Sequence, residues 1–303
     1  MSNLLLKIYK TIFDFLHHLA KMLKWSFFPS LLGFNDLRNN RKTSFHILFQ
    51  CWFILFIASY SFGLSAVVVE RLIPVVINRL KHDREAFTQG LTIEQNQLYE
   101  STGLYGQSSL RHLDILTGRI LQKHSLSAEV FGEGLAAFPH QLIQITWKEH
   151  RAFVYELPSL KLLKILFYIG EGWGLCRDEN VVWMSNGTSM LTQRDLKTFA
   201  ILKTLPVHWA GNPVAHLNDL ECDGHHLYAN IWQKNWIIRI DKRTGEVTGF
   251  IDASHLLSLQ EKVGLTSDDV LNGIAFRPKT GTFFLTGKRW PWIFEVRLVS
   301  HKL

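Results

Sequence analysis

Glu133 stands between Gly132 and Gly134, two residues after Phe131. Glycines allow close backbone approach, and a carboxyl group desolvated among aromatic rings holds its proton more tightly. Such a group can take up and return a proton during a reaction. It can equally be a structural acceptor of backbone amides. Glu133 is one member of a recurring signature: a polar or aromatic residue, then usually Gly, then Leu or Ile. The five copies are Gln89-Gly90-Leu91, Glu133-Gly134-Leu135, Trp173-Gly174-Leu175, Asn218-Asp219-Leu220 and Asn272-Gly273-Ile274, spaced by 44, 40, 45 and 54 residues. A structural repeat needs only small or apolar residues at the leading position. Different polar and aromatic types there point to a site. Trp147, Trp232 and Lys288 add to it, each at the end of the strand-like run that follows a signature. Taken singly, each Trp is expected in a core between repeats. Several aromatic residues with a few polar groups at one rim are what a peptide or small-molecule pocket requires.

The elements that must hold these residues repeat as well. Each signature is followed by a run rich in β-branched and aromatic residues: Leu98–Thr102, Leu142–Trp147, Val181–Ser185, Leu227–Trp232 and Thr282–Thr286. Asp114 to Gly118 and Asp241 to Gly245 each place an Asp and a Thr-Gly turn between apolar runs, which is hairpin chemistry. Phe153–Leu163 and Leu191–Leu202 repeat the pattern without the Gly. Four short strands per unit of about 40–45 residues predict a β-propeller. Helical repeats of similar length compete, but the alternation and turns oppose them. Five signatures predict five blades. The 72–79 segment is expected to supply the outer strand of the last blade and so close the ring. The longest spacing predicts an insertion over 254–269, read as a short helix.

Composition bounds the remainder. The chain has 303 residues, 47% of them hydrophobic, with ten Trp and twenty-one Phe, which excludes extensive disorder. Its net charge is +7, but the first 44 residues carry +5 of it, so no nucleic-acid-binding face is expected. From Phe45 to Val69 no Asp, Glu, Lys or Arg occurs, a run longer than the roughly 20 residues of a membrane-spanning helix. Arg38, Arg41 and Lys42 flank its N-terminal side, which predicts a cytoplasmic N-terminus and an exported C-terminal domain. The run begins far from Met1 for a signal peptide and is expected to stay as an anchor. Within 4–25, Leu5, Ile8, Ile12, Leu16, Leu19 and Leu23 share one helical face, predicting a basic amphipathic helix lying on a membrane. The expected organisation is therefore a basic cytoplasmic segment over 1–44, an anchor over 45–69 and a propeller over 70–303. Of the three cysteines, Cys51 lies in the apolar run. Cys176 and Cys222 are read as free or buried rather than bridged.

Longer strings carry a resemblance. His82-Asp83, Ala86 to Leu91, Leu98 to Gly106, Phe131 to Leu135, Glu171 to Leu175, Leu217-Asn218, Tyr228 to Trp232, Leu271 to Ala275 and Thr286 to Pro291 resemble the plant and bacterial glutaminyl cyclases. The likeness runs in order from about residue 72 to 298. It implies a five-bladed propeller that converts the N-terminal Gln of a peptide or protein to pyroglutamate with release of ammonia. The family's pocket would fall on Phe87, Gln89, Phe131, Glu133, Trp147, Trp173, Asn218, Trp232 and Lys288, with Glu133 as the catalytic carboxylate. In that reaction Glu133 is expected to shuttle the proton, and Lys288, Asn218 and Gln89 to donate hydrogen bonds to the developing oxyanion. The resemblance implies no catalytic metal or cofactor, though it allows a structural ion in the channel. Arg84, Asp219, Cys176 and Cys222 depart from the family pattern; Asp219 is expected to alter pocket shape or substrate preference. Two rivals stay open: a non-catalytic peptide-binding propeller, and a metal-dependent lactonase-like one drawing on Glu133, Asn218 and Asn272.

Overall fold

The computed structural model describes residues 69–300. The predicted helix at 4–25 and, apart from Val69, the uncharged run lie outside the described residues. Within them every regular element is a β-strand. The hairpin chemistry is realised as expected: the Asp114, Asp195 and Asp241 carboxylates accept the backbone N–H of Thr117, Thr198 and Thr244. Gly118 and Gly245 close their hairpins at positive φ. Leu160 and Phe199 adopt the same left-handed conformation without glycine's freedom, and both side chains are buried.

The strands form five four-stranded antiparallel units in a propeller-like arrangement. Blade 1 comprises Thr88–Glu94, Gln97–Thr102, Ser109–Leu113 and Ile120–Ser125. Blade 2 comprises Gly132–Phe138, Gln141–Thr146, Arg151–Glu156 and Leu162–Phe167. Blade 3 has Leu175–Asp178, Val181–Met184, Met190–Asp195 and Ile201–Pro206. Blade 4 has Leu217–Cys222, His226–Ile231, Trp236–Asp241 and Val247–Asp252. Blade 5 has Leu271–Arg277, Thr282–Gly287 and Trp292–Ser300, completed by Glu70–Lys81. The innermost strands neighbour one another in cyclic order, blade 5 returning to blade 1. Five apolar clusters fill the five seams between blades; Leu80, Leu91, Leu98, Ala275 and Phe284, for example, join blade 5 to blade 1.

The Glu70–Lys81 strand pairs antiparallel with Trp292–Ser300, as the ring-closure argument requires. It also pairs in parallel with Val247–Asp252 over Glu70 to Leu72, fusing blades 4 and 5 into one eight-stranded sheet. Two expectations are corrected. The 254–269 insertion is a series of turns with no helix: Ser258 and Glu261 bond each other's backbone N–H, and Gly264 lies at positive φ. The Ser258–Glu261 pair is a capping box suited to opening a helix, but the turn it opens stops at Gly264, whose positive φ is not helical. Cys176 and Cys222 are joined as a disulfide, Cα atoms 5.6 Å apart, linking the inner strands of blades 3 and 4. The expectation of free or buried thiols fails because register across a seam is invisible in spacing alone.

Candidate active site

A β-bulge is the device that aims the signature residues. In blades 1, 2, 4 and 5 the pairing of the inner strand slips at the signature: between Thr88 and Gly90, Gly132 and Leu135, Leu217 and Leu220, and Leu271 and Ile274. A bulge leaves one residue out of the ladder and redirects its side chain. Gln89, Glu133, Asn218 and Asn272 are all nearly fully buried there. Glycine follows the signature residue in blades 1, 2, 3 and 5, where inner strands approach closely. A Cβ on Gly134 would stand 2.5 Å from Leu175 N, and one on Gly174 would collide with the carbonyl of Asn218.

Glu133 is 5% exposed. Gln89 Nε2 donates to its Oε1 at 2.8 Å, and Asn272 Nδ2 donates to Gln89 Oε1 at 3.1 Å. A three-residue relay of hydrogen bonds therefore holds the carboxyl group from blades 1 and 5. Burial raises the proton affinity of Glu133 well above the ordinary carboxylate range. The ammonium of Lys288 opposes that shift, while Asp219, Glu149 and Glu171 reinforce it. Lys288 is also buried; desolvation lowers its pKa and Glu133 partly restores it. Its Nζ lies 4.6 Å from the centroid of the Phe87 ring, a cation–π distance.

The aromatic residues form a continuous wall. Phe87 meets Phe131 edge-on at 6.3 Å, and Phe131 meets Trp147 at 5.5 Å. Trp147 and Trp173 share a carboxylate, that of Glu171. Trp173 contacts Trp232 at 5.6 Å, and the exposed His216 ring lies 5.8 Å from Trp232. Phe131 leans on the bare Cα of Gly103, beside the Gln89 side chain, which brings the wall to Glu133. Asn218 occupies the equivalent bulge of blade 4, and its buried Oδ1 has no protein partner.

The structure thus brings Phe87, Gln89, Phe131, Glu133, Trp147 and Lys288 into one connected group. Trp173 joins through Glu171, and Trp232 follows through Trp173. Gln89 holds Glu133 with its amide and is held in turn by Asn272, which leaves it less free to serve as a donor to substrate. Asn272 was visible as a signature residue, but its supporting role was not. Glu149 and Glu171 were missed, although each lies two residues from a pocket Trp. Glu149 accepts the Tyr105 hydroxyl at 2.8 Å and the Phe131 N–H at 3.3 Å. Asp219, expected to alter pocket shape or substrate preference, ties the inner strands of blades 4, 5 and 1: its Oδ2 receives Ile274 N at 2.9 Å and Leu91 N at 3.3 Å. His82 and Glu100, prominent in the resemblance, form a buried bond at 2.7 Å outside the wall.

A buried proton-holding carboxyl, an adjacent ammonium and an aromatic slot suit proton transfer on a small neutral group. Comparison with known proteins agrees with that chemistry. The family model for glutamine cyclotransferase matches residues 53–298. A glutaminyl-peptide cyclotransferase of Arabidopsis thaliana is 37% identical over 225 residues, covering 74% of this chain and 70% of the relative. The crystal structure of Myxococcus xanthus glutaminyl cyclase superposes with a TM-score of 0.72 at 37% identity, over 78% of this chain and 100% of that one. With most of its length matched by the family model and 37% of the aligned residues identical in each relative, the chain belongs to the glutamine cyclotransferase family.

Proposed function

We propose that this chain is a glutaminyl-peptide cyclotransferase: a five-bladed propeller that closes the N-terminal Gln of a peptide or protein to pyroglutamate and releases ammonia. The observation that carries the reading is Glu133, buried in the bulge of the blade 2 inner strand, held through one oxygen by Gln89 and charge-coupled to Lys288.

The substrate brings both reacting groups. Its α-amine nitrogen attacks its own side-chain amide carbon, a five-membered ring closes, and the C–N bond to the amide nitrogen breaks. The slot between Phe131, Trp147, Trp173 and Trp232 folds the side chain back so that amine and amide meet, an orientation effect. Glu133 as carboxylate receives a proton from the attacking amine, then as acid returns one to the departing nitrogen. Its raised proton affinity suits the second half, and Lys288 keeps the ionised form needed for the first within reach. Lys288 stabilises the developing oxyanion. The unpartnered Oδ1 of Asn218 is an acceptor for an N–H of the substrate. No external nucleophile or electron carrier is needed for this bond exchange. No group of three or more His, Cys, Asp or Glu able to hold a metal occurs among the described residues.

The membrane reading is part of the proposal. The uncharged run over 45–69 and its basic N-terminal flank support an anchor with the propeller on the exported side. The Cys176–Cys222 disulfide supports an oxidising compartment for that domain.

The test is ammonia release from a peptide with N-terminal Gln, with the same peptide carrying N-terminal Ala as control. The product should lose one ammonia and resist Edman-type attack on its amine. A peptide bound without ammonia release would leave a binding propeller in place of an enzyme. Alkaline extraction and protease accessibility of the full chain in intact cells test the anchor and its orientation.

A further inference from the structure

We infer that Glu171 is a positioning residue of the pocket: one carboxylate oxygen locks the indoles of Trp147 and Trp173, contributed by neighbouring blades, into the wall that receives the substrate's glutamine side chain. The inference takes its substrate from the cyclotransferase reading; the clamp itself rests on geometry. Glu171 Oε2 accepts Trp147 Nε1–H at 2.9 Å and Trp173 Nε1–H at 3.1 Å. The other oxygen, Oε1, lies 3.7 Å from Lys148 Nζ, and that ammonium stands 3.8 Å from the centroid of the Trp147 ring. Trp147 is therefore fixed at its edge by Glu171 and on its face by Lys148.

An indole has a single N–H and no other polar handle, so a half-buried indole is oriented by whatever accepts that hydrogen. Here two indoles from different blades depend on the same atom. The backbone around them is already fixed: Gly172 N donates to Trp147 O at 3.0 Å, and Trp173 N to Ser185 O at 3.1 Å. A Cβ on Gly172 would crowd Ile145 and the Trp147 side of the turn, at 2.9 Å from both Ile145 Cδ1 and Thr146 O. What the backbone leaves open is the direction of the two rings, and Glu171 sets it. The consequence spreads along the wall, because Trp147 packs on Phe131 and Trp173 on Trp232. Burial alone would raise the Glu171 pKa, but the indole donors of Trp173 and Trp147 and the Lys148 charge outweigh it and hold the carboxyl below the ordinary carboxylate value. Charged acceptors make the stronger hydrogen bonds.

The experiment compares Glu171→Ala and Glu171→Gln in the full chain, using the N-terminal Gln peptide. Alanine removes the acceptor. KM is expected to rise about tenfold or more with kcat changed much less, as for loss of charge-assisted hydrogen bonds that orient a binding wall. The indole bands of the near-ultraviolet circular dichroism spectrum should collapse, with the thermal midpoint little altered. Glutamine keeps a carbonyl oxygen that can receive both N–H groups, so it should recover most of the KM and the indole bands. Glutamine as damaging as alanine would show that Glu171 acts by its charge on the substrate, which overturns the clamp. Unchanged KM and unchanged indole bands in the alanine variant would overturn it too. A wild-type chain that releases no ammonia defeats the cyclotransferase reading instead; the indole bands of the two variants then decide the clamp by themselves.

Discussion

Two opposed influences meet at Glu133. Burial disfavours its ionised form, and the Lys288 ammonium favours it; burial prevails. A carboxyl group poised this way can both accept and donate a proton, whereas a solvated one would seldom carry the proton at neutral pH. Glu133→Gln keeps the shape and the Gln89 contact but cannot shuttle. Its kcat should fall by at least about 100-fold, with the thermal midpoint and circular dichroism spectrum retained; near-wild-type turnover would remove Glu133 from the role. Trp147 tests the wall. Trp147→Ala should raise KM about tenfold, equivalent to ~1.4 kcal/mol, and steady-state kinetics in which neither KM nor kcat moves would return that ring to the structural core. The residue types of this site were legible in the sequence because they broke a repeat. Their hydrogen-bond partners were not: nothing in the spacing tells that Asn272 holds Gln89 while Gln89 holds Glu133.

Among the elements, inner strands do most of the positioning. Each presents one face to the blade before it and the other to the blade after it, because successive side chains in a strand alternate. Cys176 pairs across its own blade with Trp183, and Cys222 with Leu227. Once the inner strands of blades 3 and 4 are aligned, the two sulfurs face the same seam, whose core also holds Leu217, Leu220 and Leu227. The bond closes a loop of 46 residues, for which chain entropy gives about 4 kcal/mol of stabilisation. The Cys176→Ser/Cys222→Ser double variant should lose stability on that scale in denaturant titration, and added reductant should bring the wild type toward it. A wild type whose midpoint ignores reductant would count against a stabilising bridge. The hairpins were readable even without glycine, since Asp195 and Thr198 hold their turn by the same bonds that Asp114 and Thr117 use. The turns of 254–269 were not readable as such, because short apolar runs do not separate a helix from a packed loop.

At the scale of the whole molecule, the channel gathers carboxyl groups. Glu133, Asp219 and Glu221 are all buried near the inner strands, and burial raises the pKa of each, that of Glu221 to about 8. A carboxyl group whose folded pKa exceeds its unfolded value binds more protons when folded. Stability is then full below the unfolded value and declines as pH rises toward the folded one. For Glu221 the window runs from about 4.3, the unperturbed value, to about 8. The thermal midpoint of the wild type should therefore fall as pH rises through that window, from about 5 to about 8. Glu221→Gln should start lower, because its amide opposes one of the N–H groups of Cys222 and Phe276 that Glu221 accepts, but its midpoint should change less with pH. Equal slopes in the two proteins would exclude Glu221 as a source of the dependence.

By itself the sequence determined the number of repeats, the strand content, the ring-closing segment before the first repeat and the residue types that leave the repeat pattern. It could do so because each is a local property: alternation, turn chemistry and spacing are written along the chain. Only the tertiary structure decided which side chains meet across a seam. Glu171 between two indoles, Asp219 bound to backbone amides of blades 5 and 1, and Cys176 against Cys222 all depend on how segments separated by 24, 55 and 46 residues come to lie side by side, and the site as a whole on bulges that turn single side chains inward. Burial, which raises the proton affinity of Glu133, is likewise a property of the closed ring and of no segment of it.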